Sequence, residues 1–285
     1  MALTVNTNIA AMNAQRNLGN TSAQLQQSFQ RLSSGLRIVQ AKDDAAGLAI
    51  ADTLRADQHI ATVAIRNAND GVSMISIADG ALTQIGNVLT RMAELSEQSA
   101  NGTLGASQRS ALNNEFFSLG SEIQRIANTT NFNGIFLLSG GAQIQLQVGF
   151  DSANTAQISF SGVQGSLASL GLASNGLSQL NFSLTDAANA QSASLSALDA
   201  VKAAITSLTS TRGALGATES RLSVAVQNLQ VARENFASAE SQIRDVDVAE
   251  EAANLTRENI LQQAGTSILA QANQQPALAL RLLGG

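Results

Sequence analysis

The chain has no cysteine, no tryptophan and no tyrosine in 285 residues, and only one proline and one histidine. Without cysteine there are neither disulfides nor thiolate metal sites. With His59 as the sole histidine, neither a histidine-based zinc site nor an HExxH protease motif can form. Proline removes a helical donor and clashes with the preceding turn, and with Pro276 as the only one, long unbroken helices are expected. Aromatic residues make up 3 % of the chain against 44 % apolar residues overall, so its cores are filled by Ala, Leu and Ile and are thin and helical. The net charge of −5 comes with no basic cluster, which argues against nucleic acid and anionic membrane as partners. No stretch reaches the roughly 18 uninterrupted apolar residues of a membrane span. The opening MALTVNTNIAAMNAQRN lacks the basic flank and apolar run of a secretory signal. There is no glycine-rich phosphate loop, and acidic pairs such as Glu250 and Glu251 fall at a helix start, where the helix dipole accounts for them. No catalytic residue, cofactor site or metal site is therefore expected.

The strongest positive signal is a heptad repeat. Val201, Leu208, Leu215, Leu222, Leu229, Phe236 and Ile243 recur every seventh residue, with Ala204, Thr211, Thr218, Ala225, Ala232, Ala239 and Val246 three positions on. A repeat of seven keeps one stripe facing a partner helix, and at about 1.5 Å per residue this one predicts a rod helix of roughly 70 Å. A second seam supplies the partner: Leu54, Ala61, Ala68, Ile75, Leu82 and Leu89, with Ala64, Gly71, Ala78, Ile85 and Met92 three places on. Periodicity alone leaves the pairing antiparallel or parallel. Gly47 and Gly71 each cost a helix about 1 kcal/mol, which points to close backbone approach at both.

Two arms flank these rods. In the first, Leu18, Leu25, Leu32, Phe29 and Leu36 predict one apolar stripe on a helix from about Thr7 to Ser33. In the second, Asp247 and Glu250 read as a capping box, followed by Val248, Ala252, Leu255, Leu261, Ala264, Ile268 and Ala272 and a leucine-rich tail after Pro276. Neither arm can offset its ordering entropy unless its stripe is buried, and two stripes plus the tail exceed what one pairing covers. Between the rods, Leu112, Phe116, Leu119, Ile123 and Ile126 mark a third helix over 107–129. Ile144, Leu146 and Val148, then Ile158 and Phe160, alternate with polar residues as a β-hairpin within 140–162, its loop at Asp151–Thr155. Residues 162–185 read as a Gly- and Ser-rich return loop, with Thr185 or Asp186 as N-cap of the last rod helix.

LSSGLRIVQAKDDAAGLAIA at 32–51, the FNG turn at Phe132–Gly134 and ANLTRENILQQAGTSILAQANQ near the end resemble bacterial flagellin, and the likeness covers both ends and most of the rods. The fold class expected is mainly α: a long antiparallel coiled-coil rod with a small β-hairpin, plus paired N- and C-terminal helical arms. The resemblance implies an inner, channel-lining domain from residues 1–42 and 247–285. It implies a rod domain from 43–185 and 186–246, without the large outer domains of longer flagellins. It implies a structural subunit of the flagellar filament, secreted unfolded through the type III export apparatus with a chaperone, and extracellular. It also implies arms that order on assembly, and as partners other copies of itself, the filament cap and the hook-filament junction proteins. A vertebrate Toll-like receptor is a further implied partner. The family's receptor or subunit contact maps onto Arg91, Leu95 and Glu115, with Ala93 where a second arginine is common. A hook-filament junction protein and a soluble helical-hairpin adaptor remain as alternative readings.

Overall fold

A computed structural model describes residues 7–139, 143–150, 153–160, 163–173 and 190–283. Five helices occupy most of these residues: α1 (Ile9–Ser34), α2 (Ala45–Ser99), α3 (Ala106–Thr129), α4 (Ala190–Arg244) and α5 (Val248–Leu283). Four short strands lie between α3 and α4: β1 (Asn131–Phe132), β2 (Ile135–Phe136), β3 (Ile144–Gln147) and β4 (Gln157–Phe160). The helix breaks fall near 42 and 246, whereas the two compact units divide inside α2 and α4. One unit comprises Met1–Gln58 with Glu234–Gly285, the other His59–Arg233.

The His59–Arg233 unit is built on the heptads. Ala61, Ala68, Ile75, Leu82 and Leu89 of α2 are buried along with Ala64, Ala78, Ile85 and Met92. Val201, Ala204, Leu208, Leu215 and Leu222 of α4 join them in one core. The pairing is antiparallel: Ser99 meets Ser194, Asp79 meets Arg212, and Gly71 lies under Leu222. Gly71 is needed for close approach, because a Cβ there would overlap Leu146 of β3 and crowd Leu222. Helix α3 folds back onto the pair with Phe116 and Ile123 fully buried and Leu112, Leu119 and Ile126 partly so. Arg109 ties down the α2–α3 turn, its Nε donating to the Ser99 carbonyl at 3.0 Å and its Nη2 to that of Asn101 at 3.1 Å.

After α3 the chain makes two hairpins. Strands β1 and β2 pair across Asn133 (φ 49°) and Gly134 (φ 80°). Two successive left-handed residues define the type I′ turn that an Asn-Gly pair favours. Strands β3 and β4 pair antiparallel from Ile144↔Phe160 to Gln147↔Gln157, and a 3-10 turn at Asn154–Ala156 closes the described part of their loop. Asn67 of α2 holds this hairpin by donating to the Gln147 carbonyl at 3.1 Å.

The segment expected to be a plain return loop proves otherwise in its described part. Val163, Leu167, Leu170 and Leu172 are buried in the same core, and the Val163 and Gly165 amides donate to the Leu137 and Leu138 carbonyls at 3.2 and 3.0 Å. Its leucines lie among Gly and Ser with no regular period, so the burial comes from tertiary packing alone. The expected N-cap at Thr185 or Asp186 lies outside the described residues.

In the other unit, α1 begins on Asn8, whose Oδ1 accepts from the Ala11 amide at 3.0 Å, and ends on Gly35 at φ 72°, the left-handed cap that satisfies the Arg31 carbonyl. The 35–44 connection is held by Asp43. Its carboxylate accepts from the Val39 and Gln40 amides and from the Gln27 side chain, all at 3.1–3.2 Å. Asp44 caps α2 through the Gly47 amide at 2.9 Å, and a Cβ on Gly47 would overlap that carboxylate. The two connections meet: the Arg37 amide donates to the Arg244 carbonyl at 2.6 Å and the Val246 amide to that of Gly35 at 3.0 Å. Asp247 caps α5 through the Ala249 and Glu250 amides.

Candidate assembly surfaces

Helices α1 and α5 run antiparallel, linked by Asn8 to the Ala272 carbonyl at 2.8 Å near one end and by Arg31 to Glu251 at 3.7 Å near the other. Ala14, Leu25 and Ser28 of α1 are buried in this seam with Glu251 and Ala272 of α5, and Leu18 rests on Gly265. The less exposed α5 positions step by fours and threes through Glu251, Leu255, Glu258, Gln262, Gly265, Leu269 and Ala272. Of the face expected from the sequence, only Leu255 and Ala272 lie in that seam. Val248, Leu261 and Ile268 are at least half exposed, as is Ile260. Phe29 also departs from expectation: it is 54 % exposed rather than on the buried stripe of α1. The reason is angular. At about 100° per residue the buried positions Ala14, Leu25 and Ser28 centre on one direction around α1, and Phe29 lies roughly 65° from it, off a narrow two-helix seam.

The paired arms thus bury one mixed seam and leave a second, apolar face uncovered. Ile260, Leu261, Ala264 and Ile268 fall within about 100° of one another around α5 and roughly 120° from the middle of its seam. On α1, Ile9, Met12 and Phe29 are exposed as well. Glu251, which sequence reading assigned to the helix dipole alone, is instead 6 % exposed and paired with Arg31. No signal local to α5 could have found it, because the seam it belongs to is set by the pairing with α1.

In the other unit, Arg91 of α2 bridges two carboxylates. It donates through Nε to Glu115 of α3 at 2.9 Å and through Nη1 to Glu94 at 2.9 Å. These hydrogen bonds, Glu94's first and Glu115's next, hold the Arg91 guanidinium above its ordinary value. Arg91, Glu94 and Glu115 are all well exposed, while Leu95 is fully buried in the core beneath them. The structure therefore brings Arg91 and Glu115 together on the surface and places Leu95 where it sets the position of α2. His59 is exposed at the rim of an apolar cleft of about 280 Å³ that it shares with Ile60, Val63 and Gly149. Among the described residues no cluster of His, Asp or Glu could hold a metal ion, and no helix is long and apolar enough to cross a membrane.

Arg212 pairs with Asp79 across α4 and α2 at 2.7 and 3.0 Å, and this hydrogen bond holds the Asp79 carboxyl below its ordinary value of 3.8. A carboxyl depressed in the folded state contributes stability that is complete above its unfolded value and lost as pH falls through the folded one. Both side chains are about 40 % exposed, so solvent screening limits the pair to about 0.5 kcal/mol. Asp79→Asn should lower the urea midpoint slightly at neutral pH, and the gap to the parent should close below the ordinary carboxylate range. A gap that persists unchanged in acid would assign the effect to packing.

An antiparallel rod of Ala-rich heptads carrying a folded-back helix and hairpins, with paired terminal helices that expose apolar surface, defines a self-assembling structural subunit. Residues 5–143 match the bacterial flagellin N-terminal helical region and residues 198–283 the bacterial flagellin C-terminal helical region. The chain is 44 % identical over 280 residues to a flagellin of Halalkalibacterium halodurans, covering 98 % of this chain and 99 % of that one. It is 35 % identical over 381 aligned positions to polar flagellin F of Vibrio parahaemolyticus, with both chains covered in full. A solved structure described as a candidate flagellar hook-associated protein of Vibrio parahaemolyticus shares the fold, with a TM-score of 0.58 at 14 % identity over 71 % of this chain and 100 % of that one. The chain belongs to the bacterial flagellin family. It is a structural protein, not an enzyme, and it polymerises with copies of itself into the flagellar filament, an extracellular appendage that serves motility.

Proposed function

We propose that residues 1–42 and 247–285 form the inner, channel-lining layer of the filament and that the rods, residues 43–185 and 186–246, form the tube around it. The observation that carries this reading is the uncovered face of α5 at Ile260, Leu261, Ala264 and Ile268. A continuous apolar face on a paired helix calls for a further helix to cover it, and in a homopolymer the neighbouring copies supply one. A seam with so little apolar burial also suits arms that order fully only on assembly. The chain reaches the filament tip through the flagellar export apparatus with a chaperone, and adds between the hook-filament junction proteins and the cap. The exposed Arg91–Glu115 pair, positioned by Leu95, is a subunit contact in the filament and a surface for a host Toll-like receptor in the monomer.

Negative-stain electron microscopy of the full chain after seeded polymerisation tests the reading. Long tubes of constant diameter are expected from the parent. The double variant Leu261→Asp, Ile268→Asp should stay helical and give none. Tubes of parental length from the variant would remove the uncovered face from the assembly, and failure of the parent would move weight to a junction protein.

A further inference from the structure

Asparagine followed by glycine occurs at Asn101, Asn133 and Asn175, the last outside the described residues. Such a pair can cyclise: the glycine nitrogen attacks the asparagine Cγ, the Cγ–Nδ2 bond breaks and ammonia leaves. Water then opens the succinimide at either carbonyl. The two described pairs are equally exposed but differ in backbone. Asn133 is locked at φ 49° in its I′ turn between the pairs Asn131↔Phe136 and Phe132↔Ile135, and ring closure would have to rotate it out of that well and break both. Asn101 lies in the α2–α3 turn, where no strand pairing has to break: its amide donates to the Gln98 carbonyl at 3.2 Å and its carbonyl accepts from the Leu104 amide at 3.3 Å. Its Oδ1 accepts from the Thr103 amide at 3.1 Å, a donor placed to stabilise the oxyanion that forms as Cγ is attacked.

We propose that Asn101 is a site of spontaneous deamidation in this chain and that Arg109 directs the product to isoaspartate. Opening the ring at the main-chain carbonyl frees that carbon as a carboxylate and reroutes the backbone through Cγ. The oxygen so freed is the Asn101 carbonyl oxygen to which Arg109 Nη2 already donates at 3.1 Å. The guanidinium both polarises that carbonyl toward water and gains a charge-assisted partner once it becomes a carboxylate. The same step lengthens the main chain by one carbon between Ser99 and Thr103, at the point where α2 hands over to α3.

The full-length chain is held at mildly alkaline pH and its peptides are followed by mass spectrometry, with isoaspartate scored by methyltransferase labelling. The Asn101 peptide should gain one mass unit several-fold faster than the Asn133 peptide, with an isoaspartate share above that of a free peptide of the same sequence. Gly102→Ala, which has open space for its Cβ, should slow the conversion strongly. Arg109→Gln should return the isoaspartate share to the free-peptide value. Conversion of Asn133 at an equal rate, or an Asn101 amide that remains intact while Asn133 converts, would overturn the site. A product ratio indifferent to Arg109→Gln would overturn the role of the guanidinium.

Discussion

A chain trimmed of residues 1–42 and 246–285 keeps a cooperative unfolding transition and forms no filaments. The first half of that result follows from where the core lies. Among the described residues, every fully buried large side chain, from Ile75 and Leu82 to Leu167 and Leu172, belongs to the His59–Arg233 unit, which the trimming leaves whole. The second half follows from what the arms expose. Their seam is partly polar, with Ser28, Gln262 and Glu251 in it, and their apolar residues Ile260, Leu261 and Ile268 face outward. Burial at about 25 cal/mol per Å² is the main drive for association, so removing that face removes most of it. Circular dichroism on heating, with electron microscopy of a seeded reaction, reads both halves. Filaments of normal length from the trimmed chain would refute the role given to the arms.

Phe116→Ala costs about 3–5 kcal/mol of unfolding free energy, the range for deleting a fully buried phenylalanine that leaves a cavity. Phe116 is the largest side chain with no exposure among the described residues, and it pins α3 to the rods. Its neighbour is the internal control. Phe117 is 36 % exposed on the same helix, and Phe117→Ala should cost well under half as much. Urea unfolding with matched slopes gives the difference directly. Equal losses for the two variants would mean that α3 is held by something other than the core.

How far the fold was legible depends on how many partners each helix has. The rod seams were readable in their middle, because seven-residue spacing in α2 and α4 admits one narrow face: the seam positions from Ala61 to Met92 are buried, as are those from Val201 to Leu229 apart from the half-buried Thr211 and Ala225, while Leu54, Phe236 and Ile243 toward the ends are only partly buried. Local chemistry was equally legible: Asp247 as a cap, Asn133–Gly134 as a turn, Gly47 and Gly71 as close approaches. The arms were not. Helix α5 carries apolar residues on more than one face, and nothing local says which one α1 takes, so the seam through Glu251, Glu258 and Gln262 emerged only from the packed pair. The burial of Leu95 beneath Arg91 was likewise invisible from motif spacing.

The sequence by itself determined a mainly helical rod with a small hairpin and assembling arms, because periodicity, caps, the lack of Cys and the scarcity of Pro and aromatic residues act over a few turns of one helix and need no partner to be read. Only the tertiary structure decided which face of α5 stays free, that Arg91 and Glu115 meet across two helices, and that Val163–Leu172 belongs to the core. Each of these depends on distances between segments far apart in the chain, where a side chain's surroundings are set by what the other segments leave uncovered.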